Sequence, residues 1–559
     1  MKKSIIFLLF LLLPYSIYGD ILIHSQKGKI LFLIQQGQHT QAIDLYQQYQ
    51  KHQNEHDYEL LHQMGLGILK QGFDQRDPEI QLLSLFGASI AANEEVYYIL
   101  EESLKNPYPQ IQLVALNALA RFQNDRADQA LLKALGSDEL IIRLEAAYQL
   151  CLKKHPLAVS QIESLMYKTP KAILPIYPQL YAAIGNEKAI RHLRRLLNHK
   201  SDKVRTATIL SIAQHQRDDL IPQLRQIICH SYYPQQEACA YTLGLLKDEK
   251  SLPKLKKLTH SSYPHVALAA QQALYRLGQQ EAAIAIEQAA KKGDIFAINA
   301  LAEIPEKSEV LVELLKHADI TVRINATLAL LAQGHLEFFS ALKDILVRDK
   351  RNLTFTQTHS PGQAFKAWKV NQAATQLLKD DTQAYEAYLK LRENTLLKAY
   401  ELSQTGFLEL AQLIFNTQQN DLVPLVVELL EELDTPDAIQ ILKTYQQKVG
   451  APFIRNYCNL ALYRLKEEGP YGELLRQWVQ SRYGEELIRF RSLPVSIFEY
   501  REKCYELTPE ETSRLLIEAF QAFTINQDQL GIATLLETIR SGNQKNKYAL
   551  AGLLIRAIE

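Results

Sequence analysis

A small side chain returns every 31 residues through the first half of the chain. The stretches RDPEIQLLSLFGAS, NPYPQIQLVALNAL and SDELIIRLEAAYQL each hold one in the same place. We call these positions the register residues: Ser84, Ala115, Ala146, Tyr177, Thr208, Cys239, Ala270, then, after shorter steps, Ala297 and Ala326, and a late echo at Cys458. A fixed period in this range predicts a stacked array of one supersecondary unit.

Each unit reads as a helical hairpin. A turn with Asp or Pro, such as Asp77-Pro78, opens a helix whose apolar residues recur at helical spacing, as in Ile142, Ala146 and Leu150. A second amphipathic stretch, such as AIRHLRRLLN, fills the interval to the next register residue. One hairpin cannot bury its apolar face alone, so each unit must dock on the next. The sequence therefore predicts an all-α protein, an α-solenoid.

The units resemble HEAT repeats, in the short form called PBS-lyase-type HEAT-like repeats. The shared pattern is an apolar residue, Arg, two variable residues, a small residue and an apolar residue four further on. It is carried by three stretches: Ile142-Arg143, Ala146 and Leu150; Val322-Arg323, Ala326 and Leu330; and, with substitutions, Val204-Arg205, Thr208 and Ile212. The resemblance covers 75–335 well and 420–465 weakly, and it implies a right-handed superhelix of antiparallel helix pairs, armadillo-like, that binds proteins. Tyr177, between Pro175 and Pro178, departs from the pattern.

The first residues have the layout of a secretory signal peptide. Lys2 and Lys3 precede an apolar run that ends at Pro14. We expect residues 1–19 to be removed, which leaves no integral membrane segment; an uncleaved anchor helix is the alternative. The location predicted for the chain is the bacterial periplasm or the medium.

The remaining chain divides by pattern. We expect a helical N-terminal cap at 20–74 with a hairpin like that of a tetratricopeptide repeat, and the HEAT-like array at 75–348. Thr, Ser, Pro and Gly then interrupt the helical rhythm, which predicts a linker or long loop at 349–366. An irregular, repeat-like helical region at 367–559 follows, in which 489–503 reads as an extended crossing segment.

The composition excludes several classes of function. Lys plus Arg equals Asp plus Glu, 62 of each, whereas a general nucleic-acid binder needs an excess of cations. The five Cys are widely spaced and form neither a disulfide framework nor a zinc ribbon. Catalytic motifs such as GxSxG, the P-loop and HExxH are absent. None of the 15 His precedes Glu, as the iron-binding deoxyhypusine hydroxylases of HEAT type require. We predict no enzymatic activity and no cofactor.

One histidine pair has a spacing that could suit a metal site. His52 and His56 lie four residues apart and could share one helix face. Because Glu and Gln surround them, we favour an exposed polar helix end and predict no metal.

A column of cations is the candidate binding site. Arg194, Arg225 and Lys256 are 31 residues apart on one helix of three successive units, and Arg195 and Lys257 adjoin two of them. Stacking would align these charges into a basic stripe, in which neighbouring charges reinforce one another's field. An ordinary solvated face is the alternative. As a functional site, the stripe would dock an acidic protein segment or an anionic envelope polymer.

These features together predict a non-enzymatic protein–protein interaction scaffold of the bacterial periplasm or cell envelope, which binds partners along an α-solenoid surface. Two alternatives stay open: an enzyme or enzyme-complex subunit with a site in 350–559, and a secreted effector that binds host proteins.

Overall fold

The computed structural model describes most of the chain, in two compact units. The described residues are 26–53, 55–155, 157–230, 232–335, 339–347, 354–358, 366–371, 382–486, 489–493, 504–508 and 511–557. Unit 1 joins residues 1–146 to 442–559, and unit 2 comprises 147–441. The predicted signal peptide, residues 1–19, lies outside the described residues.

Helices account for nearly all of the described structure. In the first part of the chain they are α1 (26–35), α2 (His39–Gln53), α3 (Tyr58–Phe73), α4 (Pro78–Ala91), α5 (Tyr97–Ser103), α6 (Pro109–Ala120), α7 (Asp125–Ala134), α8 (Leu140–Leu152), α9 (Ala158–Lys168), α10 (Tyr177–Ile184), α11 (Glu187–Leu196), α12 (Asp202–Gln214), α13 (Ile221–His230), α14 (Tyr233–Leu245) and α15 (Leu252–Leu258). They continue with α16 (Pro264–Arg276), α17 (Ala282–Lys291), α18 (Ile295–Leu301), α19 (Ser308–Leu314), α20 (Ile320–Gln333), α21 (Lys343–Leu346), α22 (Thr382–Leu402), α23 (Gln404–Asn416), α24 (Val423–Leu433), α25 (Pro436–Gln446), α26 (Pro452–Arg464), α27 (Tyr471–Arg482), α28 (Glu511–Ile525), α29 (Gln529–Ser541) and α30 (Lys547–Arg556). Short 3-10 turns precede several of them, at Glu94–Val96, Leu174–Ile176, Asp218–Leu220, Glu249–Ser251, Pro305–Lys307 and Phe339–Leu342. None of the described helices has both the length and the hydropathy that crossing a bilayer would need.

Two antiparallel strand pairs interrupt the helices. Strand β1 (Thr354–Thr358) pairs with β2 (Ala367–Asn371), and β3 (Arg489–Leu493) pairs with β4 (Cys504–Thr508). Strand β3 bears out the extended conformation expected at the start of 489–503.

The segment predicted as a linker, 349–366, contains strand β1 instead of only loop. Its TFTQT sequence is rich in β-branched and aromatic residues, which favour a strand. Phe355 is buried and its ring stacks on Tyr388 of α22, with 4.3 Å between centroids. Asn325 of α20 holds the partner strand by bonding both the amide (3.0 Å) and the carbonyl (2.7 Å) of Trp368. The strand pair is therefore packed against the helices of unit 2.

The register residues are the innermost positions of the array. All ten are fully buried, with no exposed side-chain surface: Ser84, Ala115, Ala146, Tyr177, Thr208, Cys239, Ala270, Ala297, Ala326 and Cys458. Ser84, one of the polar register residues, donates a hydrogen bond to the carbonyl of Leu69 on α3 (2.5 Å), so its buried hydroxyl has a partner. Successive helices approach closely beside them: a Cβ on Gly244 of α14 would lie 2.5 Å from Ala273 of α16. Helix pairs that dock in series through these positions confirm the predicted α-solenoid.

A left-handed residue ends most of the helices that carry a register residue. Eight of the ten register residues are followed, eight positions later, by a residue with positive φ: Ala92, Lys154, Gly185, Gln216, Lys247, Gly278, Gly334 and Lys466. The next amide then usually reaches back five residues, as His155 does to the Leu150 carbonyl (2.9 Å). This is the Schellman arrangement, which satisfies carbonyl groups left open at a helix end. Most of these residues are not Gly, so the sequence pattern did not reveal the motif.

The side chain at the arginine position of the repeat pattern, Arg or Gln, makes a hydrogen bond to the turn before its helix. Three positions before a register residue, a side-chain N–H donates to the backbone carbonyl six residues earlier, at 2.6–2.9 Å. The donors are Gln81, Gln112, Arg143, Arg205 and Arg323. Each closes the turn that precedes its helix, whose carbonyl groups would otherwise lack a partner.

Unit 1 brings the two ends of the described chain together. The C-terminal helix α30 packs on α3 and α4. Glycines permit backbone contact there: a Cβ on Gly552 would lie 2.2 Å from the Gly87 carbonyl oxygen, and one on Gly65 would lie 2.7 Å from the Ala551 carbonyl oxygen. The predicted N-terminal cap, 20–74, is thus itself covered by C-terminal helices.

Histidines of the N-terminal hairpin make polar contacts at this junction. His56 lies 2.9 Å from the Gln529 carbonyl oxygen and 3.1 Å from the Tyr46 hydroxyl, and it is only 5 % exposed. His39 lies 3.5 Å from the Lys547 ammonium group. The interpretation of His52 and His56 as an exposed polar helix end is therefore wrong for His56, because its partner is 473 residues away in sequence; His52 is exposed.

Burial disfavours the protonated form of these histidines. Desolvation, and then the nearby charge of Lys547, lowers the pKa of His39 to about 4. Desolvation also lowers the pKa of His56, although the Gln529 carbonyl opposes it. A proton taken up at either position would place a charge in a contact that has little water to solvate it.

We predict that Gly552→Ala destabilises unit 1. The added methyl would force α30 away from Gly87, and we expect a loss of about 2 kcal/mol in the free energy of unfolding. Gly28→Ala is the matched control: it lies on a helix with no atom within 4 Å of the new Cβ, so it should gain up to about 1 kcal/mol. Denaturant unfolding of both variants measures the difference, and equal shifts of the two would contradict the close contact.

We predict that acid destabilises the junction of the chain ends. The pKa values of His39 and His56 are lower in the folded than in the unfolded chain, so the unfolded chain binds more protons below about pH 6.5. Stability from these histidines should be present above that pH and fall, on the order of 2 kcal/mol, as the pH drops towards 4.

The test is denaturant unfolding between pH 7 and pH 4.5. His39→Gln with His56→Gln should flatten the pH dependence, whereas His260→Gln, at an exposed position, should leave it as in the parent. An unchanged slope in the double variant would sink this explanation.

Candidate functional site

The predicted basic stripe lies on α11, α13 and α15 of unit 2. Helix α11 is strongly amphipathic, since its Ala189, Ile190, Leu193 and Leu196 are buried. Their burial turns Arg194 and Arg195 outward, and both are exposed. Lys256 and Lys257 of α15 are exposed as well. Four of the five predicted residues therefore offer their charge to solvent.

Arg225, the central member, is engaged within the fold. Its guanidinium group donates two hydrogen bonds to the Asp248 carboxylate, at 2.7 and 2.5 Å, and Ser251 donates a third. Burial alone would raise the pKa of Asp248, but the hydrogen bonds from Arg225 and Ser251 outweigh it and hold that pKa below its usual value. Since Asp248 precedes α15, this bidentate pair joins neighbouring repeats.

Helix α9 adjoins the stripe. Glu163 of α9 faces His192 at 3.3 Å and Arg195 at 3.6 Å, both from α11. Arg195 remains 72 % exposed, so its ion pair with Glu163 is weak and solvated. Glu163 thus brings α9 next to the α11 end of the stripe.

The chain segment that holds α9 and α11 is rich in cations. Residues 147–205 contain eleven Lys and Arg against three Asp and Glu, in a chain whose net charge is zero. The exposed cations there are Lys154, Lys168, Lys171, Lys188, Arg191, Arg194, Arg195, Lys200 and Lys203. Such a local excess produces a field that attracts anionic partners. The 31-residue spacing alone identified neither Lys168 of α9 nor the ion pair of Arg225 with Asp248.

Two cavities outside the stripe offer little converging chemistry. One of about 630 Å³ in unit 1 is lined by α1, α3 and the start of α5, with Lys70, Asp74 and Glu95 at its wall. A smaller cavity, of about 280 Å³, lies beside Tyr463, within residues 350–559, where the alternative prediction places an enzymatic site. There Asp528 accepts from Tyr463 (2.9 Å) and Arg476 (2.7 Å) and caps α29. Within the described residues, no three His, Cys, Asp or Glu side chains are grouped to hold a metal ion.

We predict that Asp248 is structural. Asp248→Ala would leave the Arg225 guanidinium without its acceptor, and we expect the free energy of unfolding to fall by about 1–3 kcal/mol. Arg225→Ala should destabilise in the same direction. Arg194→Ala and Lys256→Ala, on exposed side chains, should stay within about 0.5 kcal/mol of the parent. Thermal unfolding of the four variants tests this, and a neutral Asp248→Ala would refute it.

Comparisons with known proteins give distant structural similarity only. No protein-family model matches the chain, and no curated protein matches it. Among solved structures, the chain is similar to the karyopherin Kap121p bound to Ste12p (12 % identity, 96 % of this chain and 67 % of that one, TM-score 0.37). It is also similar to Kap121p bound to the extreme C-terminus of the phosphatase Cdc14p (12 %, 93 % and 66 %, 0.38) and to Kap95p with RanGDP (11 %, 86 % and 77 %, 0.31). The chain thus spans about two thirds of the Kap121p length. At identities and scores this low, the likeness adds no argument, and the fold assignment stands on the packing described above.

Proposed function

We propose that the protein is a non-enzymatic scaffold that binds partner proteins along its α-solenoid surface. The observation that carries this proposal is the exposed cationic surface of unit 2, where Arg194 and Arg195 stand out from α11 and Lys256 and Lys257 from α15. These side chains are presented by helices that are themselves docked into the array. A surface of this kind binds through many modest contacts, and charge complementarity selects the partner and speeds its encounter.

The conspicuous polar groups elsewhere support this role over catalysis. Arg225 and Asp248 link two repeats, Asp528 caps α29, and His56 joins the chain ends. Each of these groups has its hydrogen bonds within the fold, so each contributes to rigidity. A rigid array keeps its exposed charges at fixed separations, which reduces the entropy lost on binding.

We propose further that the scaffold acts outside the cytoplasm, in a bacterial periplasm or envelope. The support is the N-terminal sequence, in which Lys2 and Lys3 precede an apolar run. Expression of the full chain, cell fractionation and N-terminal sequencing test this directly. A cytoplasmic protein that keeps its first residues would refute the location and leave the binding role intact.

The binding role predicts a loss of affinity when the stripe is neutralised. Partners are captured from envelope and medium fractions with the purified chain, and one is then purified and its Kd measured with the parent. Replacing Arg194, Arg195, Lys256 and Lys257 by Ala should weaken this Kd about 10- to 100-fold, because each exposed charge pair contributes up to about 1 kcal/mol.

The matched control removes four other exposed cations of unit 2: Lys292, Lys316, Lys366 and Lys369, each to Ala. It changes the net charge equally and should weaken binding by less than about threefold. Equal losses in the two variants would mean a nonspecific charge effect, and an unchanged Kd in the stripe variant would reject the proposed surface.

A further inference from the structure

The cationic surface also exposes apolar side chains. Tyr167 of α9 is 76 % exposed, and Leu157, which precedes that helix, is 53 % exposed. Single exposed apolar residues are ordinary on a protein surface. These two, however, belong to a segment, 147–205, in which Lys and Arg outnumber Asp and Glu by eleven to three.

The two apolar residues share one face of α9. Leu157, Ser160, Ser164 and Tyr167 follow steps of three and four residues and are all exposed. Two small serines therefore separate two large apolar side chains. At 1.5 Å per residue, Leu157 and Tyr167 stand about 15 Å apart along the helix.

Arg195 of α11 borders this face. Glu163, next to Ser164 in sequence, contacts Arg195 and His192, which places α11 directly alongside α9. Arg191 and Arg194 are exposed on the same helix and Lys168 on α9. This surface of unit 2 thus has two serines between two apolar side chains, and Arg195 of α11 and Lys168 of α9 form its cationic border.

We infer that this surface binds an acidic protein segment that carries two apolar side chains, one for Leu157 and one for Tyr167. This inference rests on the proposed scaffold function and names the chemistry of the partner. The cationic border selects Asp and Glu by charge complementarity. The apolar pair supplies affinity by burial. In an extended segment, side chains four residues apart point to the same face and stand about 13 Å apart, close to the spacing of Leu157 and Tyr167.

The apolar pair also separates a protein partner from a simple polyanion. A polymer of phosphate or sulfate would use only the cations, so its binding would depend steeply on salt and would be indifferent to Leu157 and Tyr167. A protein segment would use both kinds of contact. The two partner classes therefore respond differently to loss of the apolar residues.

The experiment uses fluorescence anisotropy with the purified chain and three labelled probes. The first is an acidic peptide with two Phe residues four positions apart, the second is the same peptide with both Phe replaced by Ser, and the third is polyphosphate. We expect the first peptide to bind about tenfold more tightly than the second. Leu157→Ala with Tyr167→Ala should remove that difference and leave the second peptide unaffected. Arg191→Ala with Arg194→Ala and Arg195→Ala should weaken both peptides about tenfold.

The matched control is Ile284→Ala with Val312→Ala, two exposed apolar residues elsewhere in unit 2 (53 % and 41 %). It should preserve the tenfold preference, and circular dichroism verifies that every variant is folded. The inference is overturned if the two peptides bind equally, if the Leu157 and Tyr167 variant keeps the preference, or if polyphosphate binds as tightly as the first peptide. If no peptide binds while the captured partner still does, the inference fails and the scaffold function stands.

Discussion

Burial of one small side chain in each repeat is the constraint on which the structure depends. A two-helix hairpin exposes an apolar face that only another hairpin can cover, and close docking requires side chains that fill little space where the helices meet. The fully buried Ser84, Ala270 and Cys458 occupy such positions in distant parts of the chain. Tyr177 is the exception among the register residues: its large ring is buried at the corresponding place, and its hydroxyl is hydrogen-bonded to Thr169.

Turn chemistry makes this docking repeatable. The Arg or Gln near the start of a helix that carries a register residue and the left-handed residue after its end both satisfy backbone carbonyl groups inside the repeat. Lys247 and Gly278 hold the same backbone conformation in neighbouring units, although only Gly adopts it without cost. These carbonyl groups at the turns thus have partners within the array. Exposed side chains such as Arg194 are not needed for these turns.

The pattern of the sequence predicted the architecture better than the roles of individual charges. Periodicity sufficed for the register residues because burial at a helix interface leaves a repeating trace. It could not tell Arg225 from Arg194, because both fit the same spacing and only the position of Asp248 distinguishes them. Nor could periodicity predict what His56 and α30 contact, because their partners lie hundreds of residues away in the sequence. The sequence pattern did not predict the strand at Thr354–Thr358, because the nearby Pro and Gly indicate a loop.

The cysteines of the chain allow the most direct test of the central claim. Cys239 and Cys458 are register residues without exposed surface, and burial raises their pKa values, whereas Cys229 on α13 is exposed. The measurement is the rate of thiol labelling in the native chain, with Cys504 replaced by Ser and each site followed by mass spectrometry. Docked hairpins predict rapid labelling of Cys229 and labelling of Cys239 and Cys458 only as the protein unfolds. Labelling of all three at one rate under native conditions would show that the hairpins are not packed through these positions.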